Sequence, residues 1–184
     1  MDNLLRSYQP SNDVEEAHKN SILSLLQSAP RCYYRDHFDP GHITGSALLI
    51  SADGQRVLMN HHKSLRKWLS FGGHADGDEN ILRVASREIV EESGIQNIEP
   101  VMGDIFDVDV HPIPANPKRG EPAHSHFDIR YLFCVKNKGD ENFVLSDESV
   151  SLRWCGYDEA MGLIQQDGSM ARLLSKWREK LAKI

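Results

Sequence analysis

Apolar and polar positions along this chain recur with two periods, near 3.6 and near 2 residues, and so separate into helical and strand-like segments. Residues 12–27, NDVEEAHKNSILSLLQ, place acids early and an apolar stripe late (Ile22, Leu23, Leu25, Leu26). That pattern predicts a helix capped by Asn12 or Asp13 and ended at Ala29-Pro30. Residues 31–42 read as a loop with a turn at Asp39-Pro40-Gly41. ITGSALLI (43–50) predicts a strand, Asp53-Gly54 a tight turn, and QRVLMN (55–60) the returning strand of a hairpin. The Gly-, His- and Lys-rich stretch 61–77 reads as a loop. A helix follows over about 78–93, then strands at 101–110, 126–135 and 151–157, and closing helices from Tyr157 to Gln166 and Ser169 to Leu181. Four of the eight prolines fall between 111 and 125, which makes that segment a stiffened loop. Strands interrupted by helices predict an α+β fold or an α/β/α sandwich.

The helix over 78–93 breaks the usual rule of amphipathicity. At about 100° per residue, Ile81, Leu82, Ala85 and Ile89 share one sector that must face the core. Glu88 and Glu92, four residues apart, project into the margin of that sector, and Glu91 lies beside them. A solvated charged face would sit opposite the stripe. Like charges at this spacing cost roughly 0.2–0.5 kcal/mol even on an exposed helix, and partial burial raises the cost. A hard divalent cation with oxygen ligands removes the conflict, and Arg87 is placed to orient or partly neutralise one carboxylate. Asp76 and Glu79 are spaced for a capping box, with Asp78 a rival cap. Gly94 stands where a left-handed residue would stop the helix, with Ile95 packing back.

Composition narrows the class. A length of 184 residues suits one domain with a short extra element. The balance of 27 acids against 21 bases, a net charge of −6, excludes a general DNA or RNA binder, which needs a basic face. No apolar run approaches the ~20 residues of a membrane span, and MDNLLRSYQPSNDVEE does not resemble a signal peptide. Cys32, Cys134 and Cys155 are odd in number and widely spaced, which fits a reducing cytoplasm and buried, unpaired thiols. Residues 76–92 hold six acids and two bases, a net of −4, so most of the excess charge lies on the carboxylate helix and its approach.

The segment from Gly73 through Glu79 to Arg87-Glu88-Ile89-Val90-Glu91-Glu92-Ser93-Gly94-Ile95 resembles the Nudix box at all nine of its defining positions. The resemblance extends over roughly residues 43–166. It implies a Nudix-type α/β/α sandwich with a mixed central sheet and an added N-terminal helix. Residues 1–40 would be a helical extension packed on the domain, and 41–184 the domain with its closing helices. It further implies hydrolysis of a diphosphate bond in a nucleoside diphosphate linked to another group (a nucleotide sugar, ADP-ribose or a (d)NTP), a small-molecule substrate. Mg²⁺ would be the cofactor, with Mn²⁺ as a substitute. Glu88 and Glu92 would be the principal ligands, with Glu91 and the Gly73 carbonyl adding to them. Glu79 and Arg87 would hold the ligands in place. Glu148, with Asp147 as the fallback, would be the later-loop carboxylate that acts as base or ligand. Many relatives are homodimers, and the N-terminal helix suits that role or that of capping the sheet.

The nine histidines add a second theme. His124 and His126 alternate onto one strand face with Asp128, as do Asp107, Asp109 and His111. His74 follows the box glycine and His42 opens the first strand. The set is similar to the metal histidines of the isopentenyl-diphosphate isomerases, another branch of the superfamily. Those enzymes need a cysteine before the box, where this chain has Trp68-Leu69-Ser70-Phe71-Gly72, so isomerase chemistry is set aside. His42, His74, His124 and His126 stand as substrate or extra metal contacts, and Lys118 and Arg119 as contacts to phosphate or a ribose-linked group. Trp68, Phe71, Phe106 and Phe127 are read as core residues, with base stacking as the alternative. Two other functions stay open: a nucleotide sensor without turnover, and RNA cap removal, which would need a basic groove.

Overall fold

The computed structural model of the chain describes residues 1–181. Two helices come first, α1 (Asp2–Ser7) and α2 (Asp13–Ser28). Asn12 caps α2 by accepting from the Glu15 N–H at 3.0 Å, and Ile22 and Leu25 of its stripe are buried. There follow β1 (Gly41–Ile50), β2 (Val57–His62), β3 (Lys67–Leu69), β4 (Phe71–His74) and α3 (Ile81–Ser93). Then come β5 (Ile98–Pro100), β6 (Asp107–Ile113), β7 (His124–Val135), β8 (Ser149–Cys155), α4 (Tyr157–Leu163) and α5 (Gly168–Leu181).

The mixed sheet has β1 at its centre. β1 runs parallel to β7 along its whole length, from Gly41 opposite Ser125 to Ile50 opposite Cys134. Its other edge is shared: Thr44–Ala47 pair with β4, and only Ile50 pairs with β2, at Val57. The expected hairpin is therefore a single pairing, because β2 turns away to lie between β3 and β8. The sheet thus has two halves, β6/β5–β7–β1–β4 and β3–β2–β8. They meet at Ile50–Val57 and at Ser70, where the chain leaves β3 for β4.

Alternation along β1 and β7 sorts residues to two faces. Ile43, Ala47, Leu49, Phe127, Ile129, Tyr131 and Phe133 pack beneath α2 and α3 with Ile22, Ile81, Val84, Ala85 and Ile89. Leu48, Ile50, Val57, Met59 and Leu132 pack against Ala160, Leu173, Leu174 and Trp177 of α4 and α5. This is the expected α+β sandwich. At the start of β1 and β7 the second face turns polar, with His42, Thr44, Ser46, His124, His126, Asp128 and Arg130 in its register.

Several expectations need correction. The loop 61–77 contains the end of β2 and all of β3 and β4. The strand expected at 101–110 lies at 107–113, reaching into the proline-stiffened segment. Pro112 is tolerated there because β6 pairs only with β7 and needs no donor on its outer edge. Helix α3 starts at Ile81, and no capping box forms. Asn80 accepts from the Arg83 N–H at 3.1 Å, while Asp78 accepts from Asn80 and pairs with the Arg83 guanidinium. The stop at Gly94 is as expected, with φ of 72°.

Candidate active site

Two elements build the site: α3, which carries the carboxylates, and β4, whose glycines admit them. Gly72 and Gly73 sit opposite Ser46 and Gly45 of β1. A Cβ on Gly72 would meet Ser46, and one on Gly73 would lie 2.4–2.6 Å from the Glu88 carboxyl group. The strand is glycine-rich because the Glu88 carboxyl lies directly on its backbone.

Glu92 is 7% exposed. Its carboxyl group accepts from the Gly72 N–H at 3.2 Å and from the Asn60 side-chain amide at 2.5 Å. Burial pushes its pKa up to about 7, and the nearby Glu88 and Glu148 charges add to the rise against those two hydrogen bonds. Glu88 is also raised, first by burial and then by Glu91 and Glu148, with Arg87 opposing. Arg87 donates to Glu88 at 2.7 Å and to the His74 carbonyl at 2.8 Å, tying α3 to β4. Its Nε lies 3.8 Å from Glu91, which is largely exposed at the rim.

The remaining candidates fall in three groups. Glu148 is exposed in the loop before β8, near enough for its charge to act on both Glu88 and Glu92. Its neighbour Asp147 is also exposed. Glu79 is exposed as well, and its charge acts on Cys32 and Tyr33. His42, His74, His124 and His126 come together, with ring centroids 4.8–5.3 Å apart among neighbours. Burial followed by the other imidazoles holds His126 down at about 2, and burial followed by Arg35 holds His74 at about 4. Lys118 and Arg119 sit exposed on a turn closed by the Asn116–Glu121 bridge, and among the described residues neither side chain makes an ion pair. Phe71, Phe106 and Phe127 are core residues, while Trp68 stacks on His61 at 5.0 Å.

Sequence reasoning missed Asn60, whose amide fixes Glu92 across 32 residues, and no local pattern marks it. It also missed the network behind the site. Asp128 accepts from Thr44 at 2.8 Å, Ser46 at 2.7 Å and Arg130 at 2.8 Å. Arg130 also contacts Asp107, and Arg172 of α5 bridges Asp107 and Asp109. The alternation of Asp107, Asp109 and Asp128 was the available signal.

The arrangement is a carboxylate helix docked on glycines at the edge of a mixed sheet, an oxygen-rich site suited to a hard divalent cation. The NUDIX domain family matches residues 41–177. The chain belongs to the Nudix family and is an enzyme acting on phosphate anhydrides. It is similar to the rat asymmetrical bis(5'-nucleosyl)-tetraphosphatase, 28% identical over 117 residues, 64% of this chain and 74% of that one. It is also 36% identical over 90 residues to the zebrafish (Danio rerio) oxidized purine nucleoside triphosphate hydrolase, 42% of this chain and 58% of that one. In fold it resembles a C. elegans Ap4A hydrolase in a binary complex, with a TM-score of 0.60, 20% identity, and coverage of 77% and 98% of the two chains. The Nudix domain of Shewanella oneidensis NrtR complexed with ADP ribose gives 0.53 at 15% identity, covering 86% and 97%. Among the described residues no helix is long and apolar enough to cross a membrane.

Proposed function

We propose that this chain is a Mg²⁺-dependent hydrolase, with Mn²⁺ as a substitute, that cleaves the diphosphate bond of a nucleoside diphosphate linked to another group. Nucleotide sugars, ADP-ribose and (d)NTPs are the candidate substrates. One observation carries the reading: Glu92, buried, and Glu88, half-buried, stand one helical turn apart against the β4 backbone, with the Arg87 guanidinium bonded to Glu88. Two carboxylates held up in pKa by burial make a site that a cation relieves. The donor set is all oxygen (Glu88, Glu92, Glu91 and the Gly73 carbonyl), which suits a hard ion. Bound there, Mg²⁺ would neutralise phosphate charge and acidify the attacking water.

The chain's own groups have distinct tasks. Gly72 and Asn60 fix Glu92, and Arg87 fixes Glu88 by bridging it to the His74 carbonyl. Glu148, or Asp147 beside it, takes the proton from the attacking water. The products are a nucleoside monophosphate and the phosphorylated second group. Residues 1–40 serve as a helical extension packed on the catalytic domain, and the three free cysteines suit a reducing cytoplasm.

The test is a panel of nucleotide sugars, ADP-ribose, dinucleoside polyphosphates, (d)NTPs and CDP-alcohols assayed with Mg²⁺. Turnover of one class is expected, abolished by chelator and lowered at least about 100-fold in Glu92→Gln. Tight binding of a nucleotide that calorimetry finds unaltered would instead indicate a sensor. No turnover of any compound, or unchanged turnover in Glu92→Gln, refutes the proposal.

A further inference from the structure

The polar end of the sheet's second face carries a set of histidines that the carboxylate site does not use. His42 of β1 and His126 of β7 are direct partners across the parallel ladder, and His124 is two residues before His126 on the same face. Each of the three offers a ring nitrogen within 4.8 Å of the others. His74 of β4 borders them, but its Nδ1 faces the Arg35 guanidinium at 2.5 Å, which engages that nitrogen as an acceptor.

The tautomers of two members follow from their partners. The Nδ1 of His42 lies 3.2 Å from the His37 carbonyl, and the Nδ1 of His124 lies 2.8 Å from the Pro122 carbonyl. A carbonyl only accepts, so both Nδ1 atoms carry the proton and both Nε2 atoms present lone pairs. The Nε2 of His42 is buried and has no hydrogen-bond partner among the described residues, and His42 itself is 1% exposed. Several neighbouring donors are engaged elsewhere. Thr44, Ser46 and the Arg130 Nε bond Asp128, the Arg130 Nη1 bonds Asp107 and Ser169, and His111 meets Asp109. Phe38 closes one side, 5.1 Å from His124. A buried acceptor left without a donor is relieved when something electron-poor joins it.

We propose that His42, His124 and His126 form a binding site for a borderline-soft divalent cation, Zn²⁺ first, separate from the carboxylate site on α3. Three neutral imidazoles suit Zn²⁺, Co²⁺ or Ni²⁺ and disfavour Mg²⁺, which takes oxygen ligands. Three protein nitrogens leave the fourth tetrahedral position open to water or a ligand group. The His37 and Pro122 carbonyls are the orienting partners that metal-bound imidazoles generally have. The inference stands independently of the proposed hydrolytic substrate.

The test uses the full-length chain without an affinity tag, stripped with chelator, reloaded with Zn²⁺ and passed through Mg²⁺ buffer. About one Zn²⁺ per chain should remain beyond any at the carboxylates. X-ray absorption of the Zn²⁺ form should show imidazole ligands at about 2.0–2.1 Å. Singly, His124→Gln and His126→Gln should lose affinity by more than the roughly 10–100-fold that removing a supporting hydrogen-bond partner costs. Glu92→Gln and His111→Gln should retain the metal, which separates this site from the one on α3. The proposal is overturned if the folded wild-type chain retains no Zn²⁺, or if the bound metal has an oxygen-dominated shell. Retention in a folded His124→Gln/His126→Gln double variant also overturns it. The absorption measurement needs no variant, so it decides the matter even if a substitution prevents folding.

Discussion

At the residue scale, Glu92 and Gly73 show how burial sets chemistry. Glu92 is raised to about 7 by burial, so without a cation it holds a proton between its ordinary value of 4.5 and about 7, where a free glutamate is ionised. A metal must displace that proton. Binding of Mg²⁺ at pH 6 should therefore release close to one proton, and at pH 8 few, so affinity should rise with pH through about 7. Calorimetry in buffers of different ionisation enthalpy measures this; equal release at both pH values would contradict it. Gly73→Ala sets a Cβ into the Glu88 carboxyl, which is the free end of a flexible side chain. The fold should survive with Tm near wild type while kcat/KM drops about 100-fold, the scale of a misplaced reacting group. Thermal unfolding beside the kinetic assay distinguishes this from general damage. Glu88 and Glu92 were legible because their angular position on a helix conflicts with solvation. Asn60 was not, since its role depends on a long-range contact that brings β2 to Glu92 near the end of α3.

At the scale of elements, the end of α3 was legible and its start was not. Gly94 is a single residue with a unique conformational licence, whereas Asp76, Asp78 and Asn80 all have caps' chemistry. The winner was Asn80, because Asp78 turns back on the Asn80 N–H and takes the Arg83 guanidinium. Gly94→Ala must hold φ near 72° and pushes a Cβ to 3.2 Å from Val144. It should cost about 1–2 kcal/mol from the left-handed conformation. Denaturant unfolding with an unchanged m-value checks it. Strand β4 escaped notice because Phe71-Gly72-Gly73-His74 lacks alternation. Its glycines serve the approach of Ser46 and Glu88, not strand propensity.

At the scale of the molecule, the three-layer order followed from the succession of periods, while the tie between its ends did not. Tyr8 and Lys176 both bond Glu15, and Lys176 reaches Asp107 at 3.3 Å, linking α2, β6 and α5. Asp107 is fully buried among Arg130, Arg172 and Lys176. Asp107→Ala leaves these cations without their shared partner and should cost about 3–5 kcal/mol. Chemical denaturation checks this; a loss below 1 kcal/mol would mean that solvent replaces the carboxylate.

The two half-sheets joined at Ile50–Val57 and Ser70 bear on the spacing of the carboxylates. Glu92 is held from both halves, by Asn60 of β2 and the Gly72 N–H of β4, whereas Glu88 lies against Gly73 of β4 alone. The end of helix α3 thus bridges the seam through Glu92. A change of bulk at Ile50 or Val57, both buried under α4 and α5, would shift Asn60 against Gly72 and so alter the grip on Glu92 without touching either acid. Tuning of the phosphate site is thereby available to residues on the far side of the sheet.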